Sequence, residues 1–196
     1  QLGDAQWHQV YQNDTIDARQ FVKVGRTIPQ HMGGFNISSS FKGIRLYAGF
    51  DYAFGFVILN NYMVRGLSQV QGSQNSTTDV LNTWSPTNPN GTLPRFYWAN
   101  QGRNYATDGS GNNPAANLWE KGDYVSLREL TLSYDLASQL LEKYLGGKIK
   151  GLSVNITGTN LVYISGYSGN FPEVGGFDQG KFPLPKRLTF GVRVML

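Results

Sequence analysis

The chain has 196 residues, of which 24 are glycine, none is cysteine and only 15% are charged, with a formal net charge of +4. That length can bury a core; the lack of cysteine excludes disulfides and cysteine nucleophiles or metal ligands; and charge spread without a Lys/Arg run argues against a nucleic-acid partner. There is no apolar stretch of the eighteen or so residues needed by a transmembrane helix and no basic-then-apolar leader at Gln1, although a barrel strand would pass both tests unseen. The start, which has no initiator methionine, reads as a mature or truncated piece of something longer.

In chain order, residues 33–42 alternate Phe35, Ile37, Ser39 and Phe41 against Asn36, Ser38, Ser40 and Lys42. Residues 45–56 then alternate Leu46, Ala48, Phe50, Tyr52 and Phe54 against Arg45, Tyr47, Gly49, Asp51 and Ala53. A period of two is the signature of a half-buried strand, and the two runs meet at Lys42-Gly43-Ile44, which predicts an antiparallel hairpin. Each run is close to the 9–11 or so residues with which a tilted strand crosses a bilayer. A third strand is expected over 123–134, where the apolar phase moves from Val125 and Leu127 to Leu130, Leu132 and Tyr134, as a bulge near Arg128-Glu129 would produce. Residues 151–164 and 186–196 supply a fourth and a fifth.

The connections are unequal. Residues 59–122, rich in Asn, Thr, Gly and Pro, and residues 165–185 read as long loops, whereas 42–44 is a tight turn and 136–148 a short turn or helical piece ending at Gly146-Gly147. Compact soluble domains rarely carry so long a structureless loop, while outer-membrane barrels pair short periplasmic turns with long extracellular loops. The expected fold class is therefore all-β: antiparallel strands from a transmembrane β-barrel, with 59–122 and 165–185 extracellular. Five strands cannot close such a barrel, since membrane barrels start at about eight, so the first and last strands must pair with strands outside this chain.

Residues 122–136, "GDYVSLRELTLSYDL", then residues 148–176, "KIKGLSVNITGTNLVYISGYSGNFPEVGG", and residues 182–196, "FPLPKRLTFGVRVML", resemble the C-terminal end of SusC/RagA-like TonB-dependent outer-membrane transporters. The resemblance rests on Leu127 to Tyr134, Asn160-Leu161, Tyr167 with Pro172-Glu173, Pro183 to Leu196, and, upstream, Pro29, Gly33, Gly34, Phe35 and Asn36. It implies that residues 1–196 form the C-terminal part of a plugged barrel of about 22 strands, without the plug domain, in the outer membrane of a Gram-negative bacterium. It also implies import of oligosaccharides or peptides, with a SusD-like surface lipoprotein as lid, TonB acting through parts absent here, the barrel assembly machinery and membrane lipid as further partners, and no cofactor. The resemblance further implies a barrel-assembly signal in Thr189, Gly191, Val194 and Leu196, with aliphatic residues where the family's pattern has aromatic ones. The polar residues Asn36, Ser38, Ser40, Arg45, Asp51, Asn155, Thr157 and Arg193 are expected to line the passage.

Among site candidates, Trp84, Arg95, Trp98 and Tyr105 in the first long loop could stack on or hydrogen-bond a ligand, although packing the loop or touching the lid protein is the commoner use of such residues. Residues 108–113 have the oxygen alternation of a calcium loop, but Asn113 stands where the turn glycine belongs and Trp119 where a bidentate Glu is needed, so a polar turn is expected. The two histidines, His8 and His31, have no paired carboxylate at ligand spacing, and neither a catalytic constellation nor a metal site is expected. The alternative is a soluble carbohydrate-binding β-sandwich module, which would need its strands to close two sheets.

Overall fold

The computed structural model describes residues 23–68, 76–93, 95, 118–136, 138–146 and 148–196. They fall into two compact units: one includes residues 56–68, 118–121 and 167–181, and the other comprises 29–55, 122–166 and 182–196.

The second unit is a single five-stranded sheet. Its strands are β1 (His31–Phe41), β2 (Ile44–Phe54), β5 (Tyr124–Asp135), β6 (Gly151–Ser165) and β8 (Arg187–Met195), in that spatial order and antiparallel at every junction. The β1–β2 loop is only Lys42-Gly43, with φ of 48° and 86°. Two successive positive φ values define a type I′ turn, whose twist matches the strands it joins. Alternation in the sequence becomes two chemically distinct faces because each ladder pairs like with like. Across one level run Ile37, Ala48, Leu130, Gly158 and Leu188; across the next level on the opposite face run Ser38, Tyr47, Thr131, Thr157 and Thr189.

The expected bulge lies where the apolar phase changes. Both ladders of β5 shift register between Leu127 and Glu129, and Asn160, in the stretch of β6 that skips a partner, has a φ of 54°. The extra residue, Arg128, carries the apolar phase from Leu127 to Leu130 without turning either to the polar face. At the hairpin end, α2 (Ser138–Leu145) links β5 to β6, buries Leu141 and stops at Gly146, whose φ of 61° suits a helix C-terminus.

The first unit corrects the reading of residues 59–122 and 165–185 as loops without structure. Here β3 (Val57–Asn60) pairs antiparallel with β4 (Trp119–Lys121) and parallel with β7 (Phe177–Asp178), and α1 (Asn61–Ser68) follows β3 directly. Strands of two to four residues are too short for a period-two signal to register, and their partners lie far away in sequence. Phe56, Ile58, Leu59, Leu118, Phe171 and Val174 are buried, with Met63 and Trp119 against Leu59 and Leu118. The alternating run read as continuing to residue 56 stops at Phe54, because Gly55 turns with φ of 78° and donates its N–H to Asp123 Oδ1 at 2.7 Å.

Candidate functional site

The polar face of the five-stranded sheet gathers its hydrogen-bonding groups in rows. Next to the hydroxyl row lies a second row of Ser40, Arg45, Ser133, Asn155 and Gly191. A shallow open groove of about 390 Å³ sits there, lined by Ser38, Ser40, Arg45, Tyr47, Thr131 and Ser133 among others. Within it the Thr131 and Thr157 hydroxyls are 2.8 Å apart, and Arg45 reaches Asp135 at 2.7 Å. These short side chains leave room at the surface and offer hydrogen bonds of either polarity, a surface suited to polar solutes or polypeptide.

Towards the other end of the same face stands a charged cluster. Arg128 Nε donates to Asp51 Oδ2 at 2.6 Å and its Nη1 donates to the Tyr163 hydroxyl at 2.6 Å, with the guanidinium carbon 5.4 Å from the Tyr163 ring centre. Ser126 donates to the other oxygen of Asp51, and Tyr124 packs on Tyr163. The residue added by the bulge is therefore held by β2 and β6 at once. A double-mutant cycle of Asp51→Asn and Arg128→Gln on unfolding is expected to give a coupling of about 1–2 kcal/mol; additive effects would mean that the pair does not act as a unit.

The smaller unit holds a second polar site, centred on Asn60 and Asp178, both nearly fully buried. Asn60 caps α1, its Oδ1 accepting the Met63 N–H at 3.1 Å, while its Nδ2 donates to Glu120 Oε1 at 3.0 Å and Ser168 Oγ at 3.1 Å. Glu120 also accepts from the Ser168 hydroxyl at 2.7 Å and the Ser168 N–H at 2.8 Å. Tyr167 donates its hydroxyl to Asp178 Oδ2 at 2.7 Å, and Asp178 Oδ1 accepts the Gly180 N–H at 2.8 Å and that of Lys181 at 3.4 Å. Burial first, then the Asp178 carboxylate that accepts its proton, pushes the Tyr167 phenol well above the usual tyrosine range. This network closes residues 167–181 onto β3 and β4. No local pattern announced it, because its members come from four separate stretches of chain; the only hint was Tyr167, which with Pro172-Glu173 carries part of the family resemblance.

Of the residues singled out in the sequence, Trp84 is half-buried and its backbone N–H donates to the Leu93 carbonyl at 2.8 Å, while Arg95 is exposed. Trp98 and Tyr105 lie outside the described residues, as do His8 and residues 108–113. Thr189, Gly191 and Val194 lie on β8, with Thr189 and Gly191 on the polar face and Val194 opposite Leu152. A β-carbon at Gly191 would meet the end of the Asn155 side chain, which would have to swing aside to admit it. Leu196 follows the strand and is exposed. Among the described residues no cluster of three or more His, Cys, Asp or Glu could hold a metal ion.

No protein-family model matches the chain. It is 27% identical to a TonB-dependent receptor of Formosa agariphila over 186 residues, 87% of this chain and 17% of the relative. A second TonB-dependent receptor of the same organism is 25% identical over 205 residues, 98% of this chain and 20% of that protein. The chain thus spans a fifth or less of the curated relatives it matches. Among solved structures it superposes on the RagAB peptide transporter with a TM-score of 0.68 and 26% identity, over 86% of this chain and 17% of that one. The "open-open" state of the RagAB peptide importer gives 0.65 at the same identity. The relatives bear the names of receptors and a transporter rather than of enzymes. With an antiparallel sheet that is apolar on one face and polar on the other, the chain is similar in both sequence and fold to part of the SusC/RagA-like TonB-dependent receptors.

Proposed function

We propose that this chain forms C-terminal wall strands of an outer-membrane barrel of about 22 strands, which imports oligosaccharides or peptides with a SusD-like surface lipoprotein and with energy delivered through TonB. The observation that carries the reading is the two-faced sheet. Its apolar face stays exposed at Ile37, Leu132, Leu188, Phe190 and Val192, as a surface meant for lipid does, while the opposite face is a field of hydroxyls and ion pairs. The 11 residues of β1 extend roughly 36 Å at the usual rise, and at a tilt near 45° that covers about 25 Å, the height of a lipid-facing band. In this reading the polar rows face the lumen, residues 59–122 and 165–185 lie outside the cell, and Thr189, Gly191, Val194 and Leu196 serve assembly of the barrel. The RagAB likeness favours peptide as cargo over glycan. A sandwich module is disfavoured by the exposure of the apolar face, which a second packed sheet would cover.

Mass spectrometry of the native complex purified from membranes is the test. The expected result is these residues within a chain several times longer, associated with a surface lipoprotein. A free soluble species of this length would overturn the transporter reading.

A further inference from the structure

We propose that the hairpin end of the five-stranded sheet is a binding surface for the head groups of anionic phospholipids, on the understanding that the sheet is a barrel wall. The apolar face reaches this end as a row of Phe41, Ile44, Tyr134, Val154 and Val192, followed by Leu152 and Val194. Lysines stand just beyond it. Lys42 occupies the β1–β2 turn, and Lys148 and Lys150 lead into β6; all three are exposed. These connections meet at one level: Gly43 accepts the Asp135 N–H at 2.8 Å, and Lys150 donates its N–H to Met195 at 2.8 Å, which ties the β5 end to the hairpin and the start of β6 to the end of β8.

The charge at this end is not cancelled by its acids. Asp135 is engaged by Arg45 at 2.7 Å, and the one negative charge of α2, Glu142, is offset in number by Lys143 on the same helix. That leaves the charge of Lys42, Lys148 and Lys150. The Lys42 ammonium lies 5.2 Å from the centre of the Phe41 ring, at the margin of the apolar face. Lysine stems cover apolar surface while their ammonium groups stay at the polar boundary, and a compact ammonium suits a phosphate as a point charge. A phospholipid satisfies both parts of the surface, its chains against the Phe41 row and its phosphate against the lysines; free phosphate satisfies only the second. A zwitterionic head group brings its own cation, so net negative charge is what the lysines select.

The test titrates the full-length receptor in detergent with phosphatidylglycerol or phosphatidylcholine, with bound lipid counted by native mass spectrometry and inorganic phosphate as competitor. Phosphatidylglycerol is expected to bind more tightly, each of Lys42→Gln, Lys148→Gln and Lys150→Gln to weaken it roughly five-fold, and phosphatidylcholine binding to stay unchanged. Heat-modifiable migration of every variant shows that the barrel is still folded. Equal phosphatidylglycerol affinity in the triple variant overturns the proposal, as does full displacement by inorganic phosphate at matching concentration. A receptor that does not insert into vesicles at all overturns the barrel reading beneath it; one that inserts but ignores lipid charge overturns the lipid surface alone.

Discussion

Replacing Asp178 by Ala is expected to loosen residues 167–181 from the small sheet at a cost of about 3 kcal/mol, read as a roughly hundred-fold loss of amide exchange protection at Gly180 and Lys181. The carboxylate is almost wholly buried and is the acceptor for the Tyr167 hydroxyl and for the Gly180 and Lys181 N–H groups. Alanine removes the acceptor without supplying another, so the buried Tyr167 hydroxyl and the half-buried Gly180 N–H lose their partner, which costs more than the average hydrogen bond contributes. Tyr167→Phe removes one donor only and should cost about 1 kcal/mol. Gly169→Ala tests the same packing from the other side, since a β-carbon there would overlap the Tyr167 ring. The pH dependence has a defined sign. Folding raises the phenol above its usual value, so its contribution is complete below pH of about 10, the unfolded value, and is lost progressively as pH rises from there through the higher folded value. Unchanged protection in Asp178→Ala would show that the network does not hold this segment.

What could be read from the sequence, and what could not, follows from the range of the forces involved. A strand in a two-faced sheet states its role residue by residue, since Phe35, Ile37 and Phe41 must share a face whatever their partners are. The bulge was visible for the same reason: Leu127 and Leu130 cannot both face the apolar side of a regular strand. The turn was visible because Lys42-Gly43 left too little chain for anything else. The Asn60, Glu120, Ser168 and Asp178 network had no such signature. Each of its members satisfies a partner remote in sequence, and single polar residues in an Asn- and Gly-rich stretch look like ordinary loop composition until the fold brings them together. The strands β3, β4 and β7 share that fate, since burial of Ile58 and Leu59 rather than any repeat defines them. Trp84, by contrast, was marked by its residue type alone, and the structure uses it half-buried in a loop closed by a backbone bond to Leu93.

Leu130→Arg is expected to block membrane insertion, and the level at which it sits decides the size of the effect. Sequence alternation alone picks out Val154 and Val192 as lipid-facing positions for such a test, but the ladders put both in the row of Phe41, Ile44 and Tyr134, next to the hairpin turn. An arginine there can extend its guanidinium to the polar boundary and should cost only about 0–1 kcal/mol. Leu130 belongs instead to the row of Ile37, Ala48, Gly158 and Leu188, midway along β1, β2 and β5. An arginine at that depth has no such escape and should cost about 2–4 kcal/mol. Outer-membrane fractionation and heat-modifiable migration of the two variants side by side distinguish the outcomes. Loss of the Leu130→Arg barrel with retention of the Val192→Arg barrel fits a lipid-facing belt centred on the Leu130 row. Equal tolerance of both would mean that this face meets water or protein, and equal failure would move the centre of the belt towards the hairpin turn.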